Sequence, residues 1–341
     1  MSLASGQPYT YKTRNPLKNC TVPQGTARDR EWSRRSAKYP LALVGAIGWS
    51  ATTIGAWPAI ARWLTVALAA ALLVPGPRAT AVQPAPYVLA VHPYLSAQEV
   101  RKRFAPLAEY LGRQLRRPVQ VRVGSNYEEH ISFVGQDAVD FAYIGPAPYV
   151  TVVERYGPKP ILARVETKGT PYLNGVVFVR QDSSMQSLAD LKGKRFAFGD
   201  PESTMGSIMP RFALFEAGIR LQDLARVSHV QSHDNVVLGV LSGDFDAGVV
   251  RADIYDEMAG RGLRKIAELP RVSEHLFVAR SDLPSQDVRR LRRALLQLRS
   301  TPEGQRVMHA ISTEMTGLVP ASDADYDGIR KILWTLAREK R

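Results

Sequence analysis

The chain has 341 residues, with 45 Lys and Arg against 32 Asp and Glu, 45% hydrophobic residues and a single cysteine. That length buries a core without disulfides or a structural metal, which excludes disorder throughout and collagen-like repeats. Cys20 alone forms neither an intramolecular disulfide nor a cysteine-based zinc module, and the net charge of +13 is no nucleic-acid signature, because residues 1–81 carry 10 Lys and Arg against 2 Asp and Glu and hold most of the excess.

Residues 1–38 are polar and basic, without a sustained apolar period, and read as a disordered tail. Residues 39–81 follow as a hydrophobic segment. The basic flank, the apolar run Trp63–Val74 and the Ala79-Thr80-Ala81 triplet are the parts of a secretory signal, with cleavage expected after Ala81 and the body exported to the periplasm. The uncharged stretch Leu41–Ala61 is also long enough to span a bilayer, so retention as a membrane anchor is the alternative. Cys20 lies well before the apolar run, where it does not fit a lipid-modified cysteine.

From residue 82 the sequence alternates short β-branched or apolar runs with amphipathic stretches, the pattern of α/β layers with mostly parallel sheets flanked by helices. The first unit is expected as strand Tyr87–Val91, helix Glu99–Leu115, strand Val119–Val123, helix Glu128–Gln136 and strand Asp140–Ile144. A second is expected as strand Arg195–Phe198, helix Met205–Ala217, strand Ala225–Val230, helix His233–Leu241 and strand Asp246–Val250. Two similar units imply two lobes with a cleft between them, one built from residues 82–178 and 275–341 and the other from 179–274. Gly175–Val179 and Glu274–Ala279 are read as the crossovers. Helices over Ser285–Arg299, Pro302–Ile311 and Asp325–Arg338 are expected to pack back on the first lobe, with Arg289, Arg290, Arg292 and Arg293 on a solvated face.

The most informative segment is Phe198-Gly199-Asp200-Pro201-Glu202-Ser203-Thr204-Met205-Gly206-Ser207, at a strand-to-helix turn. A helix start leaves N–H groups free and favours an anion, and the hydroxyls of Ser203 and Thr204 add donors; Gly206 is expected to let a ligand come close. The plain alternative is that both hydroxyls only cap their own helix. No Gly-Lys-Ser/Thr follows, so this is not a nucleotide-binding loop. Ser232-His233-Asp234 opens another helix, where His233 serves an oxyanion or packs in the core. Tyr143 ends a strand and Tyr127 stands just after one, where ligands gather in open α/β sheets, although either is a common packing residue. Asp253 suits a ligand ammonium or P–OH group, or a helix cap. No His-Glu-x-x-His, Gly-x-Ser-x-Gly, body cysteine or obvious carboxylate pair competes, so no catalytic, metal or cofactor site is expected.

These residues together resemble the PhnD-like periplasmic solute-binding proteins for phosphonate, phosphite and phosphate of ABC importers. The resemblance spans about residues 85–320 and rests on Gly199-Asp200-Pro201-Glu202-Ser203-Thr204-Met205-Gly206, with Asp140-Phe141-Ala142-Tyr143, Ser232-His233-Asp234 and Gly243-Asp244-Phe245-Asp246-Ala247-Gly248 in support. It implies a two-lobed type II periplasmic binding protein fold, no enzymatic activity, and a monomer that hands its ligand to an inner-membrane permease. Presentation of the ligand to a sensor histidine kinase is the second reading, and an α/β enzyme acting on phosphorylated substrates a remote third. By resemblance Ser203, Thr204, Tyr127, Tyr143 and His233 hold the oxyanion, and Asp253 stands where aminophosphonate binders keep a carboxylate. Met205 departs from the family's small hydroxyl residue and removes a donor. Neutral donors and helix ends, rather than a cage of lysines, are expected to match the ligand's charge.

Overall fold

A computed structural model describes residues 85–339; the basic tail and the hydrophobic segment expected before residue 82 lie outside them. In chain order come β1 (Tyr87–Val91), α1 (Ala97–Leu115), β2 (Val119–Val123), α2 (Tyr127–Gly135), β3 (Phe141–Ile144), α3 (Pro146–Tyr156) and β4 (Ile161–Thr167). The chain then runs through β5 (Tyr172–Leu173), β6 (Gly175–Arg180), β7 (Arg195–Phe198), a π turn at Thr204–Ile208 that continues into α4 (Met209–Glu216), β8 (Arg226–His229), α5 (His233–Leu241), β9 (Ala247–Arg251), α6 (Ala252–Met258) and β10 (Leu263–Glu268). It returns by β11 (Val272–Ser273) to β12 (Leu276–Ala279), α7 (Ser285–Leu296), α8 (Pro302–Ile311), β13 (Met315–Val319) and α9 (Asp327–Glu339).

The sequence reading named neither α3 nor β4. Pro146 and Pro148 obscure the helix, yet Pro146 stands at its first position, where no intrahelical N–H bond is lost. Local side chains set the other helix starts that matter. Ser96, Asn126 and Ser232 accept from the N–H groups of Glu99, Glu129 and Asn235 at 3.3, 2.8 and 3.3 Å, capping α1, α2 and α5.

Two main sheets form, ordered β13-β4-β12-β3-β1-β2 and β10-β6-β9-β7-β8. Both are mixed rather than mostly parallel. β1 runs parallel to β2 and β3, and β7 parallel to β8 and β9, but β12 is antiparallel to β3 and β4, and β6 to β9 and β10. β6 and β12 are the strands by which the chain enters each sheet from the other, so their direction follows the crossover, and β13, antiparallel to β4, is added at the edge of the first sheet after α8.

That topology corrects the expected crossovers. Gly175–Val179 lies in β6 and pairs inside the second sheet, so this sheet begins earlier than residue 179, and Leu276–Ala279 pairs inside the first. Their apolar runs are buried along their whole length, as interior strands require. The passage between the sheets is the antiparallel ribbon of β5 and β11, with Leu173 opposite Val272 and Tyr172 opposite Ser273. Helices α7 and α8 pack on α1 and the first sheet as expected, whereas α9 packs on α3 and also on α4 from the second lobe. Arg289, Arg290, Arg292 and Arg293 are all exposed on α7, while Leu291 and Leu295 are buried on its other side.

Candidate functional site

The carboxyl ends of β2, β3, β7, β8 and β9 lead directly into α2, α3, the π turn, α5 and α6. Helix starts from both lobes therefore converge on one cleft, the position that open α/β sheets reserve for ligands.

At the end of β7 the backbone folds tightly on itself. Gly199 N–H donates to the Gly206 carbonyl at 2.8 Å, Asp200 accepts from Glu202 N–H at 2.9 Å, and Ser203 Oγ accepts from Gly206 N–H at 3.1 Å. The Ser203 carbonyl takes bonds from both Ser207 and Ile208 N–H at 3.0 Å, which widens the turn into a π turn. A Cβ at Gly206 would stand 2.8 Å from Ser203 Oγ and 3.1 Å from the Gly199 Cα. Gly206 is thus required by its close contact with the Ser203 side chain and the Gly199 backbone.

Several bonds tie the two lobes across the cleft. Thr204 Oγ1 accepts from the Ala147 N–H at 3.0 Å, Asp200 Oδ2 from the Tyr127 N–H at 3.3 Å, and the Tyr94 carbonyl from the His233 N–H at 3.1 Å. At the edge, Arg103 of α1 reaches Glu257 of α6 at 3.1 Å. Between the lobes remains a cavity of about 10 Å³, room for about one water molecule.

Five of the seven expected residues line that cavity: Tyr127, Ser203, Thr204, Met205 and His233, joined by Gly145, Leu173, Arg251 and His275. Tyr143 does not line it. Its ring is fully buried and stacks on His92 and His275, with ring centroids 5.3 and 5.0 Å apart, so it supports the wall. Asp253 does not line it either. Both its carboxylate oxygens are taken by Arg251, Nε to Oδ1 at 3.0 Å and Nη2 to Oδ2 at 2.6 Å, and Ser312 Oγ lies 3.4 Å from Oδ2.

The electrostatics divide into neutral and charged groups. Burial, with Arg251 second, pushes the His233 pKa down to about 3. Burial likewise lowers His275 and holds His92 well below its ordinary value, and it raises the phenols of Tyr127 and Tyr143, with Tyr94 pushed up to about 12. All of these present neutral hydrogen-bonding groups at pH 7. Burial alone would raise Asp253 and lower Arg251, but their mutual attraction prevails, so Asp253 lies below and Arg251 well above its ordinary value. A buried cation therefore stands at the cleft, where neutral donors alone were expected.

Sequence reasoning passed over Arg251, His92 and His275. Arg251 ends β9, a strand-end position with the same standing as Tyr143, and that was the available signal. His275 bonds Glu274 at 2.8 Å and stacks on His92 at 5.1 Å. Among the described residues, His92 Nε2, His233 Nδ1, Ser207 Oγ and Arg251 Nη1 are buried with no hydrogen-bond partner. Such atoms are rare in native structures, and two of them, on His233 and Arg251, belong to residues that line the cavity, which suits completion by another molecule. No cluster of three or more His, Cys, Asp or Glu among the described residues is arranged to hold a metal.

Residues 89–326 match the family described as ABC transporter, phosphonate, periplasmic substrate-binding protein. The chain belongs to this family. It is a family of periplasmic substrate-binding proteins of ABC transporters, not of enzymes, and the two-lobed type II fold expected from the sequence is the fold of its solved relatives. The chain is similar to the phosphate-import protein PhnD of Mycolicibacterium smegmatis, 26% identical over 75% of this chain and 88% of that protein. It is 25% identical to the phosphonates-binding periplasmic protein of Escherichia coli, over 51% of this chain and 53% of that protein. In three dimensions it resembles PhnD1 of Prochlorococcus marinus in complex with methylphosphonate, with a TM-score of 0.69, 21% identity, and coverage of 74% of this chain and 98% of the other. A binding protein component of an ABC phosphonate transporter from Pseudomonas aeruginosa gives a TM-score of 0.67 at 21% identity, with coverage of 72% and 85%.

Proposed function

We propose that this protein captures a small phosphorus oxyanion between its two lobes and hands it to an ABC permease in the inner membrane. The observation that carries this reading is the set of donors facing the cleft from both lobes: the Ser203 and Thr204 hydroxyls at a helix start, Tyr127 and His233 as neutral groups, and the unpartnered Arg251 Nη1. Ser203 is held by its cap on the π turn and Arg251 by its bidentate pair with Asp253, so these two lose little to reorganisation on binding. Desolvated, charge-assisted bonds to an oxyanion are the strongest such contacts available.

The cavity left between the lobes holds about one water molecule, so a phosphorus oxyanion enters with the lobes parted and then bridges them, favouring closure around it by the bonds it adds. The closed surface is then what the permease reads. The hydrophobic segment 39–81 directs export, and the protein works in the periplasm as a monomer, since one chain supplies the whole cleft.

The test is a thermal-shift and calorimetric screen against phosphite, methylphosphonate, phosphate, sulfate and arsenate. A phosphorus oxyanion at about 100 times its Kd is expected to stabilise the fold by about 2.7 kcal/mol. No shift with any phosphorus ligand would remove this reading. For export, amino-terminal sequencing of the mature protein is expected to begin just after Ala81.

A further inference from the structure

Asp253 opens α6 where a free carboxylate would suit a ligand ammonium group, but it is not free. Arg251 grips it with Nε and Nη2 in a bidentate pair at 3.0 and 2.6 Å, and both side chains are buried. That grip uses two of the three guanidinium nitrogens and fixes the plane of the third. The third, Nη1, is buried without a partner, and Arg251 lines the cavity shared by Ser203, Thr204 and His233.

The neighbouring carboxylates are engaged as well. A second cavity of about 330 Å³ opens on the side of the β5–β11 ribbon and is lined by Arg251, Asp253, Asp256, Glu268, Glu274 and Glu314, among others. Lys168 pairs with Asp256 and Glu314 at 3.0 and 2.7 Å, Lys265 pairs with Glu268, and His275 bonds Glu274. Asp256, Glu314 and Glu268 are thus neutralised by lysines and Asp253 by Arg251, and Glu274 is the one of these acids whose partner is an uncharged ring.

We propose that Arg251 is a specificity-determining residue whose Nη1 donates to the ligand oxyanion, with Asp253 as its positioning residue. The site then takes compact phosphorus oxyanions that carry no cationic group and disfavours zwitterionic aminoalkylphosphonates. This rests on the reading of the cleft as a phosphorus-oxyanion site. Arg251 adds a charge-assisted donor for the ligand's oxygens, and a ligand ammonium would meet that guanidinium nitrogen instead of a free carboxylate.

The experiment is calorimetry on the full chain, purified in mild detergent, with methylphosphonate and 2-aminoethylphosphonate. The wild type is expected to bind methylphosphonate at least about tenfold more tightly than 2-aminoethylphosphonate. The double variant Arg251→Met, Asp253→Leu removes both charges without leaving one buried alone, so it keeps the fold, and it is expected to lose at least about tenfold in methylphosphonate affinity. Arg251→Met alone uncovers Asp253 and is expected to narrow or reverse the preference between the two ligands, whereas a purely structural role would weaken both alike. If that single variant fails to fold, the double variant decides. A double variant that binds methylphosphonate as the wild type does, or a wild type that prefers 2-aminoethylphosphonate, overturns the inference. A wild type that binds neither these two ligands nor phosphite or phosphate overturns the oxyanion reading itself.

Discussion

Thr204 Oγ1 accepts a hydrogen bond from the Ala147 N–H at 3.0 Å, so one hydroxyl of the π turn reaches across to the first turn of a helix in the opposite lobe. The hydroxyl lines the cavity and also latches the cleft. Thr204→Ala is therefore expected to weaken oxyanion binding at least about tenfold, as is Ser203→Ala, which removes a cavity-lining donor and the cap of the π turn together. Titration calorimetry reads both, and unchanged affinity in the two would remove them from the site.

The rim pair Arg103–Glu257 joins the lobes without touching the cavity. Arg103→Ala is expected to favour the open form and to weaken ligand binding about two- to fivefold, since a partly exposed pair contributes little more than about 1 kcal/mol. Small-angle scattering with and without ligand checks this: the free variant should be more extended than the free wild type, and the two should coincide when saturated.

Gly206→Ala places a methyl group 2.8 Å from Ser203 Oγ and 3.1 Å from the Gly199 Cα. Relief requires the Ser203 cap to move or β7 to part from the turn, at a cost of about 1–3 kcal/mol. A lower urea midpoint together with weakened ligand binding is the expected result, because the turn that would break also holds the hydroxyls.

His92, His130, His233 and His275 are all fully buried and held below the ordinary histidine pKa, with His130 and His233 at about 3. Below about pH 6.5 the unfolded chain takes up protons that the folded protein refuses, at His130 and His233 down to about pH 3, so the unfolded state binds more protons and stability falls as pH falls through that window. Each such histidine adds a slope of roughly 1.4 kcal/mol per pH unit. Urea unfolding between pH 7 and pH 4 measures it, and His233→Gln is expected to flatten the curve.

Much of the layout was legible along the chain because its signals are local. The alternation of apolar runs, the Asp-Pro turn before Ser203, and the Ser and Asn caps each depend on residues a few positions apart. They place strand ends beside helix starts, and hence five of the cavity-lining side chains, without knowledge of the fold. Helix α3 was lost to its prolines and the antiparallel strands to the expectation of parallel ones, since an apolar run such as Val176–Val179 does not record the direction of its neighbours.

The tertiary structure alone decided what the site's charge is. Arg251 and Asp253 are two residues apart, a spacing that also pairs Arg180 with Asp182 at the surface, but only the tertiary structure buries this pair beside the cavity, where pairing keeps both charged. His92, Tyr143 and His275 come from separate stretches and stack only because β3 lies between β1 and β12. The sequence by itself determined the elements and the polar residues at their ends, through short-range hydrogen bonding and periodic burial. Which of those residues face a ligand and which face one another depends on closing one lobe on the other, and that contact has no period in the chain.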